Sequence, residues 1–364
     1  MQIVYYISAH GYGHGVRSCE VANAIREEEP DAQVSVVSGL PGPFLTTRLG
    51  GRAELRHESF DVGMVQLDSV RIDPEASLQA VESLLGRWEE RVETEAKRLE
   101  SIGADVVVCD IPAIPIEAAA RVGIPSVALG NFAWDWIYGP YADADVRWTP
   151  AVERFRDAYS RCGLLLRLPF AEPMSAFPER EDMPLSGAPG TDRRLEIASR
   201  TGADRTKRWV LLSFTSLSWD EAALSRAESV PETEYFTVRP LAWERTGFHA
   251  VAPEEFAFRD VLASCDVVVS KPGYGIVSEC IVNRKPLIHA VRTGFPEYPI
   301  LVDAIERYLR QVLLSERDLY EGRLGPALDA IVTAAEPDGR PALGGAAVAA
   351  RRILDMARRA SLGS

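Results

Sequence analysis

A chain of 364 residues, 46% hydrophobic and 26% charged, is a globular protein with room for two cores of ordinary size. Its formal charge of −13, from 40 basic and 53 acidic side chains, argues against a nucleic-acid partner, because a phosphate backbone calls for a basic face. No run comes near the roughly 18 apolar residues of a membrane span, and the start Met1-Gln2-Ile3-Val4-Tyr5-Tyr6 lacks the basic segment of a signal peptide. The cysteines Cys19, Cys109, Cys162, Cys265 and Cys280 are scattered and form no C-x-x-C pair. They read as buried thiols in a reducing cytoplasm rather than as a zinc site or a disulfide framework.

In chain order, an apolar strand at 2–8 runs into His10-Gly11-Tyr12-Gly13-His14-Gly15 and then into a helix at 16–29. Further strands are expected at 33–38, 105–110 and 126–130, with helices at 75–102 and 116–122. Such alternation implies βαβ units and a parallel sheet. Within 75–102, Leu78, Val81, Leu85, Trp88, Val92, Ala96 and Leu99 recur every three or four residues, the pattern of one long helix. Five prolines between Pro169 and Pro189 rule out a continuous helix or a central strand and mark an interdomain crossing.

A second series follows, with strands at 209–213, 235–238, 266–270, 286–290 and 311–314. Helices are expected at 258–264, 275–283, 299–308 and 319–334, and a last amphipathic stretch covers 346–360. The result is an α/β protein of two Rossmann-like domains, 1–185 and 186–345, with a cleft between them and the final helix able to pack back on the first. In open α/β sheets, ligands gather at the carboxyl ends of strands, where both glycine-rich turns of this chain lie.

The first turn holds His10 and His14, two of only five histidines, flanking Gly11 and Gly13. A histidine on a glycine turn is a natural general base, and Asp110 or Asp135 is placed to orient it. A polar turn in which His14 merely caps or packs would use the same residues. Phe132, Trp134, Trp136, Tyr138 and Tyr141 either stack on an acceptor or form core.

The second turn, Lys271-Pro272-Gly273-Tyr274-Gly275, leads into a helix holding Glu279. Gly273 and Gly275 let the backbone approach a ligand, and the helix offers its positive end to a diphosphate. Glu279 can accept both hydroxyls of a ribose, or simply complement the helix dipole. Lys271 can offset diphosphate charge or be an ordinary strand-end lysine. Ser213, Thr215 and Ser216 end another strand, as a phosphate-contacting loop or plain turn chemistry. Glu297, in segment 293–298, can hold sugar hydroxyls or serve as a first-turn carboxylate. The turn lacks the residues of a Walker A loop.

The string Tyr6-Ile7-Ser8-Ala9-His10-Gly11-Tyr12-Gly13-His14-Gly15-Val16-Arg17 resembles the opening of the GT-B glycosyltransferase-like domain found before the kinase in plant L-arabinokinases. Asn131-Phe132-Ala133-Trp134-Asp135-Trp136-Ile137-Tyr138 and Lys271-Pro272-Gly273-Tyr274-Gly275-Ile276-Val277-Ser278-Glu279 do so too, and the layout is more distantly similar to MurG-type enzymes. The resemblance implies a GT-B fold with an acceptor site in the N-terminal domain and a nucleotide-sugar site in the C-terminal one. It also implies that Glu279 binds the ribose and that His14 lies near the reacting centre. Ser216 and Gly275 fall near the diphosphate and Glu297 near the donor sugar, and Gly13 is a further candidate for contact with the nucleotide-sugar. No galactokinase-like stretch follows here, so sugar-kinase activity is not implied.

The expected activity is transfer of a sugar from a nucleotide-sugar, a UDP-sugar above others, to a small acceptor. It is expected to need neither a metal nor a cofactor beyond that co-substrate. An isomerase of the UDP-N-acetylglucosamine 2-epimerase type and a non-catalytic nucleotide-sugar module are the alternatives. Oligomeric state is open.

Overall fold

The computed structural model describes residues 1–67, 71–292 and 294–363. The chain divides into two compact units. Most of the first lies before Gly187, in Met1–Val65 and Asp73–Gly187. Its strands are β1 (Gln2–Ile7), β2 (Gln33–Ser38), β3 (Glu54–Arg56), β4 (Val106–Asp110), β5 (Ser126–Gly130), β6 (Leu164–Arg167) and β7 (Arg180–Asp182). They pair in the order β3-β2-β1-β4-β5-β6-β7, all parallel. The central strands are buried along their whole length, which explains their unbroken apolar sequences. Strands β3 and β7 are short and lie at the sheet edges. Their sequences, Glu-Leu-Arg and Arg-Glu-Asp, carry no apolar signal, and β7 lies inside the proline-rich stretch.

The helices here are α1 (Tyr12–Glu28), α2 (Gly42–Arg48), α3 (Pro74–Gly86), α4 (Trp88–Ser101), α5 (Ile114–Arg121), α6 (Trp134–Ala144) and α7 (Thr149–Tyr159). The single helix expected over 75–102 is thus two helices. Gly86 ends the first, and Arg87 leaves helical geometry at φ −114° and ψ 9°. Both helices bury apolar side chains, Leu78 and Val81 before the break and Trp88, Val92 and Leu99 after it. The apolar period therefore runs straight through the break.

The second unit comprises Ala188–Pro341 together with a short piece around Gln66 and Ile72. It runs α8 (Arg194–Thr201), β8 (Arg208–Ser213), α9 (Glu221–Glu228), β9 (Thr233–Val238), β10 (Phe248–Val251) and α10 (Phe258–Ser264). It continues through β11 (Val267–Ser270), α11 (Tyr274–Asn283), β12 (Leu287–Ala290), α12 (Tyr298–Tyr308), β13 (Gln311–Leu314), α13 (Glu316–Tyr320) and α14 (Gly325–Thr333). Its sheet, β10-β9-β8-β11-β12-β13, is again wholly parallel. Leu212, Val269, Ile288, Leu319 and Leu328 build the core on one face.

The chain then returns to the first unit as α15 (Gly345–Gly363). Leu185 bridges Leu343 just before it, and α15 packs on α1 with Ile353, Leu354 and Ala357 buried. Arg352 reaches Glu181 at 2.7 Å and Arg358 reaches Glu29 at 3.0 Å.

The helix expected over 319–334 is also split, into α13 and α14. Gly322 sits between them at φ +69°, where a Cβ would lie 2.2 Å from the Ala223 carbonyl oxygen. Gly322→Ala is expected to cost about 1–3 kcal/mol in urea unfolding. Gly325→Ala, whose Cβ would meet nothing closer than 3.7 Å, should be neutral or slightly stabilising.

Candidate active-site residues in each unit

In the first sheet the strand order reverses between β1 and β4, the place where an open α/β sheet leaves a crevice at its carboxyl ends. Ile7 and Asp110 are register partners at that end, so the loop into α1 and the end of β4 lie side by side. Asp110 is fully buried and receives four donors. His14 Nδ1 and Arg17 Nη2 reach Oδ1 at 2.8 and 2.6 Å, while Arg17 Nε and the Ser18 hydroxyl reach Oδ2 at 2.7 Å each. Arg17 Nη1 continues to Asn131 Oδ1 at 2.7 Å, tying in the end of β5. Burial alone would push the Asp110 carboxyl up, but Arg17 and then His14 override it and hold it well below the usual carboxylate range.

An ionised Asp110 can only accept, so the Nδ1 of His14 must carry the hydrogen between them. The Arg17 Nη2 contact to Nδ1 at 3.1 Å is then donor against donor, and that hydrogen goes to Asp110 instead. Nε2 keeps the lone pair. His14 is 6% exposed, and its ring meets Phe132 edge-on at 5.6 Å. The arrangement can accept a proton at Nε2 while the other nitrogen is held in place.

His10 has a different setting. Its Nδ1 accepts the Met64 N–H at 3.3 Å, and its ring stands edge-on to Trp134 at 5.2 Å. Gly63, at φ +61°, lets the 60–64 segment close over that ring, since a Cβ there would lie 2.3 Å from His10 Nδ1. Asp135, in the first turn of α6, faces Arg156 at 3.5 Å; the carboxylate that orients His14 is Asp110. Phe132, Trp134 and Tyr138 are buried core, while Trp136 and Tyr141 are half-buried. Gly13 lies in the first turn of α1.

Three groups at this site were not anticipated from sequence: Arg17, Ser18 and Asp61. Arg17 and Ser18 lie three and four residues after His14, on the same helix face, a spacing that was there to be read. Asp61 lies in an irregular stretch without periodicity. Glu172 is another buried carboxylate that went unremarked. It accepts the Met174 N–H, and burial pushes its carboxyl up to about 7 against that bond and with the help of Asp135.

In the second sheet the order reverses between β8 and β11. Ser213 and Ser270 are register partners at the carboxyl ends, joined by a 2.7 Å bond from the Ser270 hydroxyl to the Ser213 carbonyl. The loop after β8 exposes Thr215 and Ser216. After β11, Gly273 begins α11 at φ −149°, and a Cβ on it would meet nothing within 4 Å. Tyr274, Gly275 and Glu279 follow on α11, with Glu279 only 5% exposed. Lys271 is half-buried and reaches Gln66 Oε1 at 3.4 Å. Glu297 is buried at the start of α12, and Thr293 lies outside the described residues. The sequence thus brings Ser213, Ser216, Gly273 and Gly275 to one sheet end beside a helix N-terminus, an arrangement that suits an anion.

Among the described residues, no group of three or more His, Cys, Asp or Glu is placed to hold a metal ion. The string Asp143-Ala144-Asp145 has the spacing of a metal-binding carboxylate pair, but Asp145 is occupied by Arg147 at 2.7 Å. All five cysteines are buried free thiols. Among the described residues, no helix is long and apolar enough to cross a membrane.

Two measurements check these assignments. Asp110→Ala leaves Arg17 buried without its partner and should lower stability by about 3–5 kcal/mol in urea unfolding. The folded protein holds the Glu172 proton up to about pH 7, whereas an unfolded glutamate releases it near 4.5. That contribution is fully present below pH 4.5 and is lost as pH rises through 7. Glu172→Gln should therefore unfold at higher urea than wild type at pH 8, by on the order of 2 kcal/mol, with the advantage gone at pH 4.5.

No protein-family model matches the chain. The L-arabinokinase of Arabidopsis thaliana is 32% identical over 336 residues, which take in 90% of this chain. The chain spans about a third of the length of that curated relative, 32%. Solved structures that share its fold include CalG4, the calicheamicin glycosyltransferase, at TM-score 0.58 and 15% identity over 98% of this chain and 94% of that one. The spinosyn rhamnosyltransferase SpnG, complexed with thymidine diphosphate, matches at TM-score 0.54 and 13% identity over 100% and 98% of the two chains. The two parallel sheets, of order 3-2-1-4-5-6-7 in the first unit and 3-2-1-4-5-6 in the second, agree with these neighbours: the chain has the GT-B fold that these glycosyltransferases share.

Proposed function

We propose that the chain transfers a sugar from a nucleoside-diphosphate sugar to a hydroxyl of a small acceptor. The carrying observation is the buried His14–Asp110 pair at the reversal point of the first sheet, which leaves Nε2 as the basic nitrogen. His14 Nε2 takes the acceptor hydroxyl's proton, and the oxygen bonds to the anomeric carbon. The bond from that carbon to the diphosphate breaks, and the nucleoside diphosphate leaves with the electron pair. Direct displacement of this kind inverts the anomeric centre.

The second unit supplies the donor grip. The N–H groups at the start of α11, with Ser213, Ser216 and Lys271, face the diphosphate, and Glu279 takes the ribose hydroxyls. Fixed dipoles of this type cost no reorganisation as charge develops on the leaving group. Glu297 holds the donor sugar. The thymidine diphosphate bound to SpnG and the similarity to the arabinokinase support a nucleotide-sugar donor, for which UDP is the base we expect.

The test is a thermal-shift series with UDP, dTDP, GDP and ADP, followed by donor turnover with a mixed acceptor set. UDP at about 100 times its dissociation constant should stabilise the protein by roughly 2.7 kcal/mol, and Glu279→Ala should remove most of that. His14→Ala should keep the nucleotide shift while lowering transfer by about 10²–10⁴-fold. Conversion of UDP-N-acetylglucosamine to its epimer without acceptor would make the protein an isomerase. Nucleotide binding with no turnover, unchanged in His14→Ala, would make it a binding module.

A further inference from the structure

Asp61 is 5% exposed and stands in a network built from three separate stretches of the first unit. The Trp134 indole N–H donates to its Oδ2 at 2.9 Å, and the Ser8 hydroxyl donates to the same carboxylate. Ser8 Oγ in turn accepts the His10 N–H at 3.3 Å. Asp61 thereby links the start of the glycine loop to the first residue of α6. His14 and Asp110 both act on it electrostatically, the first favouring its charge and the second opposing it. Tyr138, Tyr159 and Cys109 are the other titratable groups that feel its field.

The charge balance of the site shows what this carboxylate does. Asp110 is already matched by the Arg17 guanidinium through two bonds of 2.7 and 2.6 Å. A proton arriving on His14 creates an imidazolium 3.1 Å from Arg17 Nη2, a like charge, with one carboxylate between them. Two buried cations against one anion is a costly state. A second anion makes the count two against two, and Asp61 is the buried carboxylate at hand: Ser8, whose hydroxyl it binds, donates its backbone N–H to the Asp110 carbonyl at 2.7 Å.

We propose that Asp61 is a positioning residue of this site, the counter-charge that lets His14 hold a proton beside Arg17. The inference rests on His14 being the base, but its test does not depend on transfer. The probe is the Trp134 indole N–H, assigned by its loss in Trp134→Phe and followed by ¹H–¹⁵N spectroscopy of the intact protein as pH is lowered from 8 to 4. Burial raises the Asp61 carboxyl above its ordinary value against its two hydrogen bonds, so the indole signal should titrate above the ordinary aspartate value. Asp61→Asn should abolish that titration.

His14→Ala and His14→Gln should each move the midpoint to higher pH, because the His14 ring that favours the Asp61 charge is gone. The Gln variant keeps a side chain in place should the Ala variant fold poorly. A midpoint unchanged in a folded His14 variant would overturn the proposal, as would an indole signal that does not titrate. An absence of sugar transfer with the coupling intact would instead count against the proposed reaction alone.

Discussion

A carboxylate sealed from water must be met in full by its neighbours, and Asp110 is the case on which the first unit turns. Its four donors come from one and a half turns of α1, so satisfying it fixes the rotation of that helix against the sheet. Fixing the helix fixes His14, and with it which nitrogen of the ring is left basic. Arg17 goes on to Asn131, so the ends of β1, β4 and β5 are registered by a single polar cluster. Removing one member leaves another charge stranded in low dielectric, and that gives the cluster its rigidity.

The second unit solves a different problem by different means. Its reversal point presents a helix start with an unobstructed glycine and a loop of hydroxyls. Amide dipoles suit a ligand that brings its own negative charge, whereas a buried ion pair suits a group that must gain and lose a proton. The same topology, used twice, builds two different polar settings because different side chains stand at the same place in the sheet.

What could be read from the sequence divides along physical lines. Central strands such as Val106–Asp110 and Val267–Ser270 are buried on both faces and announce themselves by unbroken apolar runs. Glu54–Arg56 and Arg180–Asp182 do not, because an edge strand is held by backbone bonds that leave no trace in hydrophobicity. The breaks at Arg87 and Gly322 were hidden since apolar spacing reports which face is buried and says nothing of whether the helix axis continues. At the site, glycine turns and their histidines were legible because they sit directly after strands. The choice of Asp110 over Asp135 was not, since both end or follow strands and only the three-dimensional register separates them. Asp61 was invisible for the same reason: its partners Ser8 and Trp134 are far away in sequence.

The return of α15 to α1 bears on how the protein is made. The helix that carries His14 and Arg17 is covered by α15, and everything from Ala188 to Pro341 is threaded in between. During synthesis the nascent N-terminal lobe must wait, one side of its first helix bare, until a whole second lobe has left the ribosome. A ribosome stalled before Gly345 would release a chain whose second unit is complete and whose first helix lacks its cover.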